Sequence, residues 1–166
     1  LYIIKDFFKT KKRLSSLISL HINKNPSIDQ ADKKVITFLS KGVIRLKTRI
    51  DLFIEEFYHG KINKLNKTAL NLLRIGIFQI KFMDSVPNYA AVSTTVQISK
   101  SIDKNLSNII NAVLRGIIRS NEQDNIPKNI SSINYSKYYS HPKWLINKWI
   151  NSMGKDKAHE LIKWNN

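Results

Sequence analysis

Apolar residues recur along most of this chain at helical spacing. From Asp32 to Phe57 they fall at Ile36, Leu39, Val43, Leu46, Ile50, Phe53 and Phe57. Steps alternating three and four describe one face of a helix, not a strand. Lys34, Lys41, Arg45 and Thr48 lie off that face, and Gly42 marks a bend or a close helix crossing. After Thr68 a second stripe joins Ala69, Leu72, Leu73, Gly76, Ile77, Ile80 and Met83. Lys67, Arg74 and Lys81 share another face of that helix. A small residue such as Gly76 inside an apolar stripe admits a neighbouring helix closely.

Asp84-Ser85-Val86-Pro87 ends this second helix, because proline disfavours helical geometry in the residue before it. Asn88 is expected to cap the next helix, which buries Val92 and Val96. From about Leu106 to Arg119 the core face is Leu106, Ile109, Ile110, Val113, Leu114 and Ile117. Asn108, Asn111, Arg115 and Arg119 line up beside it. A polar stretch with Pro127 follows and reads as a linker. Ser140-His141-Pro142 starts a further helix with Pro142 in first position, Gly154 closes it, and Asp156 opens a last one. Leu1 to Ile22 reads as helix broken near Lys9 to Arg13. The expected class is all-α, a bundle of six to eight helices. It divides into a helical domain at 1–122, a linker at 123–138 and a helical extension at 139–166.

Charge adds a partner to this picture. The chain has 28 basic and 12 acidic residues, a formal charge of +16. No acidic residue occurs between Phe7 and Ile28, where Lys9, Lys11, Lys12, Arg13 and Lys24 stand. Such a field favours a polyanion. The bland alternative is solvated charge from a Lys-, Ile- and Asn-rich coding bias.

Other chemistry is excluded or unsupported. With no cysteine there is no disulfide, thiolate metal site or cysteine nucleophile. His21, His59, His141 and His159 show no ligand spacing. No apolar run is long enough to span a membrane, and no signal peptide is visible, so a cytoplasmic location is expected. The first residue is Leu rather than Met, and the expectation is a segment from inside a longer polypeptide.

Three blocks carry a resemblance. They are Leu72-Leu73-Arg74-Ile75-Gly76-Ile77-Phe78-Gln79, Met83-Asp84-Ser85-Val86-Pro87-Asn88-Tyr89-Ala90-Ala91-Val92, and Ile110-Asn111-Ala112-Val113-Leu114-Arg115. Together they resemble the NusB-like helical domain. More narrowly, they are similar to its version at the N-terminus of bacterial ribosomal RNA 5-methylcytosine methyltransferases of the Sun or Fmu (RsmB) type. Tyr139-Ser140-His141-Pro142-Lys143-Trp144-Leu145 fits the methyltransferases, whereas the free-standing antitermination factor lacks that tail. Where the family often carries an acidic residue after Ala-Ala-Val, this chain has Ser93, Thr94 and Thr95.

The resemblance implies an RNA-binding domain that positions ribosomal RNA for a separate methyltransferase domain, its partner in the same polypeptide. The parent enzyme would use S-adenosylmethionine and a cysteine nucleophile. These residues hold neither that cysteine nor a Gly-rich strand-to-helix turn, so no catalytic residue and no cofactor are expected here. The alternative is a transcription antitermination factor that binds RNA and a protein partner. Candidate RNA-binding residues are Lys9, Lys11, Lys12, Arg13, Arg45, Lys67, Arg74, Lys81, Arg115 and Arg119. For Arg74 and Arg115 a structural role, covering apolar surface or bonding helix ends, stands beside RNA contact. Trp144, Trp149 and Trp164 are expected to be covered by the bundle or by the further domain rather than to stack on bases.

Overall fold

The computed structural model describes residues 1–10, 12–120 and 133–165. Among them are ten α-helices, one 3-10 turn and no strand. The helices are α1 (Tyr2–Lys9), α2 (Leu14–Asn23), α3 (Gln30–Arg45), α4 (Lys47–Phe57), α5 (Lys67–Phe82), α6 (Asn88–Ile102), α7 (Lys104–Ser120), α8 (Ile133–Tyr138), α9 (Lys143–Met153) and α10 (Lys155–Trp164). The all-α expectation holds, with ten helices among the described residues where six to eight were expected.

α5 is the axis of the bundle. Every residue from Asn71 to Phe78 is buried, and α1, α3, α4, α6 and α7 all pack against it. Asn66 starts it by accepting from the Thr68 N–H at 2.8 Å and the Ala69 N–H at 3.4 Å. Its apolar residues join Val43, Ile50, Ile54, Ile110, Val113, Leu114 and Ile117 in the main core. Two glycines permit the crossings. A Cβ on Gly76 would lie 2.8 Å from Leu114 Cδ1 and 3.2 Å from Thr95 Oγ1, and one on Gly42 would overlap the Phe78 ring. Gly42 is therefore a close crossing and not the bend.

The bend lies four residues later. The stretch expected as one helix is two, because Leu46 leaves the helical region (φ −95°, ψ 17°) between α3 and α4. The apolar rhythm runs through the break because Val43, Leu46 and Ile50 all face the same core. α3 is capped by Asp29, whose carboxylate accepts from the Asp32 N–H at 2.7 Å. Asn88 is not a cap. Pro87 holds that position without a side-chain bond, and α6 begins at Asn88. Pro142 likewise caps α9 from outside.

Within the stretch expected as a linker, 123–138, Ile133–Tyr138 is helical and packs on α4, while residues 121–132 lie outside the described part. α8–α10 have a small core of their own, in which Tyr135, Tyr138, Tyr139, Ile146 and Ile162 gather with Leu52 of α4 packed against them. Polar bonds fasten this unit to the first turn of α4. Thr48 Oγ1 donates to the Lys137 carbonyl at 3.0 Å, and Ser140 Oγ accepts from the Arg49 N–H at 3.1 Å. The Arg49 guanidinium lies 4.2 Å from the Tyr138 ring centroid and 5.1 Å from that of Phe82, and donates to the Tyr138 hydroxyl at 2.9 Å.

Candidate nucleic-acid interface

α6 and α7 lie along each other, and between their outer faces runs a groove of ≈ 950 Å³. α7 turns Leu106, Ile110, Val113, Leu114 and Ile117 inward. The residues beside that stripe, Asn108, Asn111, Arg115 and Arg119, then form one wall, as their spacing predicts. α6 supplies Asn88, Tyr89, Gln97 and Lys100 as the other. Arg115 Nε donates to Asn111 Oδ1 at 2.9 Å, which orients the guanidinium along the wall. Tyr89 is 78% exposed in the first turn of α6. None of the described lining residues is acidic. Three cations, several amides and an exposed aromatic ring are a set that can hold phosphates, base edges and a base face.

The other predicted residues are spread over the surface. Lys9, Lys12 and Arg13 are exposed around the turn from α1 to α2, and Lys11 lies outside the described residues. Lys67 is exposed at the start of α5. Arg45 is exposed at the end of α3. Lys81 is half-buried with its ammonium 5.2 Å from the Phe53 ring centroid.

Arg74 does not belong with them. It is 5% exposed. Its Nε donates to Asp51 Oδ1 at 2.7 Å and its Nη2 to Asp51 Oδ2 at 2.9 Å. Nη1 donates to Asn71 Oδ1 at 3.1 Å, and the guanidinium lies 4.9 Å from the Phe8 ring centroid. A side chain buried and forked onto a carboxylate is not presented to a phosphate, so the structural role is the one realised. Arg115 keeps its outward position. The bundle by itself covers the tryptophans unevenly. Trp149 is half-buried, with its ring edge-to-face against His141, but Trp144 and Trp164 are 66% and 84% exposed.

Sequence reasoning missed Tyr89, Gln97 and Lys100. Tyr89 stands inside the Pro87-Asn88-Tyr89-Ala90-Ala91 block, and its absence from the apolar stripe of α6 was the signal that could have found it. Lys100 is recognisable only once α6 is laid against α7.

Three groups in the extension titrate abnormally, and one of them, Tyr139, is raised by burial. Burial, reinforced by the neighbouring Tyr139, pushes Tyr135 up from its ordinary value of 10.0, so its hydroxyl stays protonated. The hydroxyl shares a hydrogen bond with His159 Nδ1, whose direction is set by the imidazole tautomer. His141 is held below 6.5, first by burial and then by the charge of Arg45.

S-adenosylmethionine does not fit the described residues. They contain no strand, and Gly42 and Gly76 are taken up by helix crossings rather than by a phosphate- or nucleotide-cradling turn. No helix among them is long and apolar enough to cross a membrane.

The fold and the groove define an all-helical domain built round one buried central helix, with a polyanion-compatible cleft on its flank. The NusB family profile matches residues 2–119. The chain belongs to the NusB family. It is 28% identical over 165 residues to a probable ribosomal RNA small subunit methyltransferase B of Synechocystis sp., covering 99% of this chain and 37% of that protein. A protein of the same description from Bacillus subtilis is 25% identical over 152 residues, covering 90% of this chain and 33% of its own length. A transcription antitermination protein NusB of Listeria innocua is 34% identical over 117 residues, which is 64% of this chain and 91% of that protein. The chain thus spans about a third of the length of the methyltransferase relatives.

Proposed function

We propose that this chain is the RNA-binding N-terminal part of an S-adenosylmethionine-dependent methyltransferase that modifies carbon 5 of cytosine in small-subunit (16S) ribosomal RNA. The bundle holds structured RNA through the α6–α7 groove and the α1–α2 turn, while a catalytic domain of the same polypeptide carries out methyl transfer. The observation that carries this reading is the reach of the similarity. It extends over 99% of the chain for the Synechocystis methyltransferase relative, α8–α10 included, but over 64% for the Listeria antitermination relative. Similarity over the extension thus supports the methyltransferase reading over the antitermination one. Phosphate contacts from Arg115, Arg119 and Lys100 supply affinity and register and leave base choice to the rest of the enzyme.

Two measurements test it. The chain should bind small-subunit ribosomal RNA fragments with an affinity that falls steeply as salt rises; negligible binding at low salt, or salt-insensitive binding, sinks the RNA role. Bisulfite sequencing of small-subunit ribosomal RNA from cells lacking the gene should show one 5-methylcytosine missing. The 34% identity of the bundle to the Listeria protein favours a second reading, an antitermination factor. That reading requires intact methylation together with altered read-through of ribosomal RNA operons.

A further inference from the structure

The α9–α10 unit keeps two of the three tryptophans of this protein in solvent. α9 and α10 are joined through Gly154 alone, whose φ of +83° reverses the chain, and they pack against each other. Ile146 and Ile162 meet in one buried cluster with Tyr135. Trp144 lies two residues before Ile146, and Trp164 two residues after Ile162. A two-residue step turns a helix by about 200°, so each indole points away from the cluster. Both rings are thus open to contact on one small helical hairpin.

The surrounding charge says which kind. Lys143 adjoins Trp144 in sequence and Lys148 lies one turn beyond; Lys163 adjoins Trp164, and all three lysines are exposed. From 143 to 165 there are five lysines against Asp156 and Glu160, a net charge of +3. Lysine is depleted from the cores of protein–protein interfaces, whereas exposed aromatics interleaved with lysine are the means by which unpaired nucleotides are held.

We propose that Trp144 and Trp164 form a second RNA-contact surface, one that stacks unpaired bases while Lys143, Lys148 and Lys163 hold the flanking phosphates. This rests on the RNA-binding reading and adds to it a separate site and a ligand class, single-stranded RNA. The groove grips the backbone, and the extension accepts nucleotides released from pairing.

The experiment titrates the chain with an oligouridylate and, separately, with a blunt RNA duplex. Oligouridylate should quench tryptophan emission, and the duplex should not. Trp144→Ala and Trp164→Ala should each weaken oligouridylate binding about tenfold. The double variant, which keeps Trp149 as its reporter, should lose the quenching. Phenylalanine at both positions should restore part of the affinity. Both side chains are exposed, so circular dichroism should show the helices intact. Wild-type oligouridylate affinity in the double alanine variant overturns the proposal, as does equal quenching by duplex; the exposed face then belongs to a protein partner. If no RNA of any kind binds the wild-type chain, the RNA-binding reading itself falls and this inference with it.

Discussion

Asp51 on α4 and Arg74 on α5 meet side-on, Nε to Oδ1 at 2.7 Å and Nη2 to Oδ2 at 2.9 Å, with both side chains largely buried. Lys47, one turn before Asp51, adds a bond of 2.7 Å to Oδ2. Removing one partner strands a buried charge. Arg74→Ala or Asp51→Ala should each destabilise the fold by about 3 kcal/mol in urea denaturation. Arg74→Lys should also lose stability, because an ammonium cannot fork onto a carboxylate. The double replacement Asp51→Leu with Arg74→Met should be more stable than either single alanine variant, since no buried charge is left unpaired and the partly exposed Lys47 can turn to solvent.

The α3–α5 crossing is set by Gly42 against Phe78, an approach with no room for a methyl group. Gly42→Ala should cost about 1–3 kcal/mol of stability, read from a chemical denaturation curve. Adding Phe78→Leu should return part of that loss. If the two substitutions simply add, the crossing is not where the strain lies.

Charge reversal in the groove tests the RNA role directly. Arg115→Glu with Arg119→Glu should lower RNA affinity more than tenfold at low salt. It should also flatten the slope of log affinity against log salt by about 0.7 for each phosphate that is no longer neutralised. Melting temperature should hardly move, since both residues are exposed. The same reversal at Lys12 and Arg13 measures how much of the remaining affinity belongs to the α1–α2 turn.

His141 links the extension to pH. Its folded-state value lies below 6.5, so the unfolded chain binds the proton more readily. Its stabilising contribution is complete above pH 6.5 and is lost as pH falls from there through the lowered folded value. Thermal melts should therefore show stability declining on acidification through this window, and His141→Gln should decline less. Equal pH dependence in the two proteins would show that the proton is taken up elsewhere.

Much of the bundle could be read from apolar spacing because each stripe is a local fact. Val43, Ile50, Leu72, Leu73, Ile110 and Leu114 all occupy the core that their intervals predict. Roles that depend on a distant partner could not be read this way. Arg74 and Arg115 sit in similar local patterns, and only Asp51, twenty-three residues upstream of Arg74, separates a buried ion pair from a groove wall. The break at Leu46 carries neither Gly nor Pro, and its apolar residue continues the rhythm of the helices on both sides. Tyr89 and Lys100 became part of a site only when α6 was set against α7. That the bundle leaves Trp144 and Trp164 open could not be read either, because aromatic spacing on a helix does not say whether a neighbour is present to cover them.

α4 has two attachments at once. Its middle is pinned to the central helix through Asp51, and its first turn holds the extension through Thr48 and Arg49. Ile50 and Ile54 of the same helix are fully buried in the main core. Load applied to α8–α10 would therefore reach the bundle through α4, shared between those apolar contacts and the Asp51–Arg74 pair.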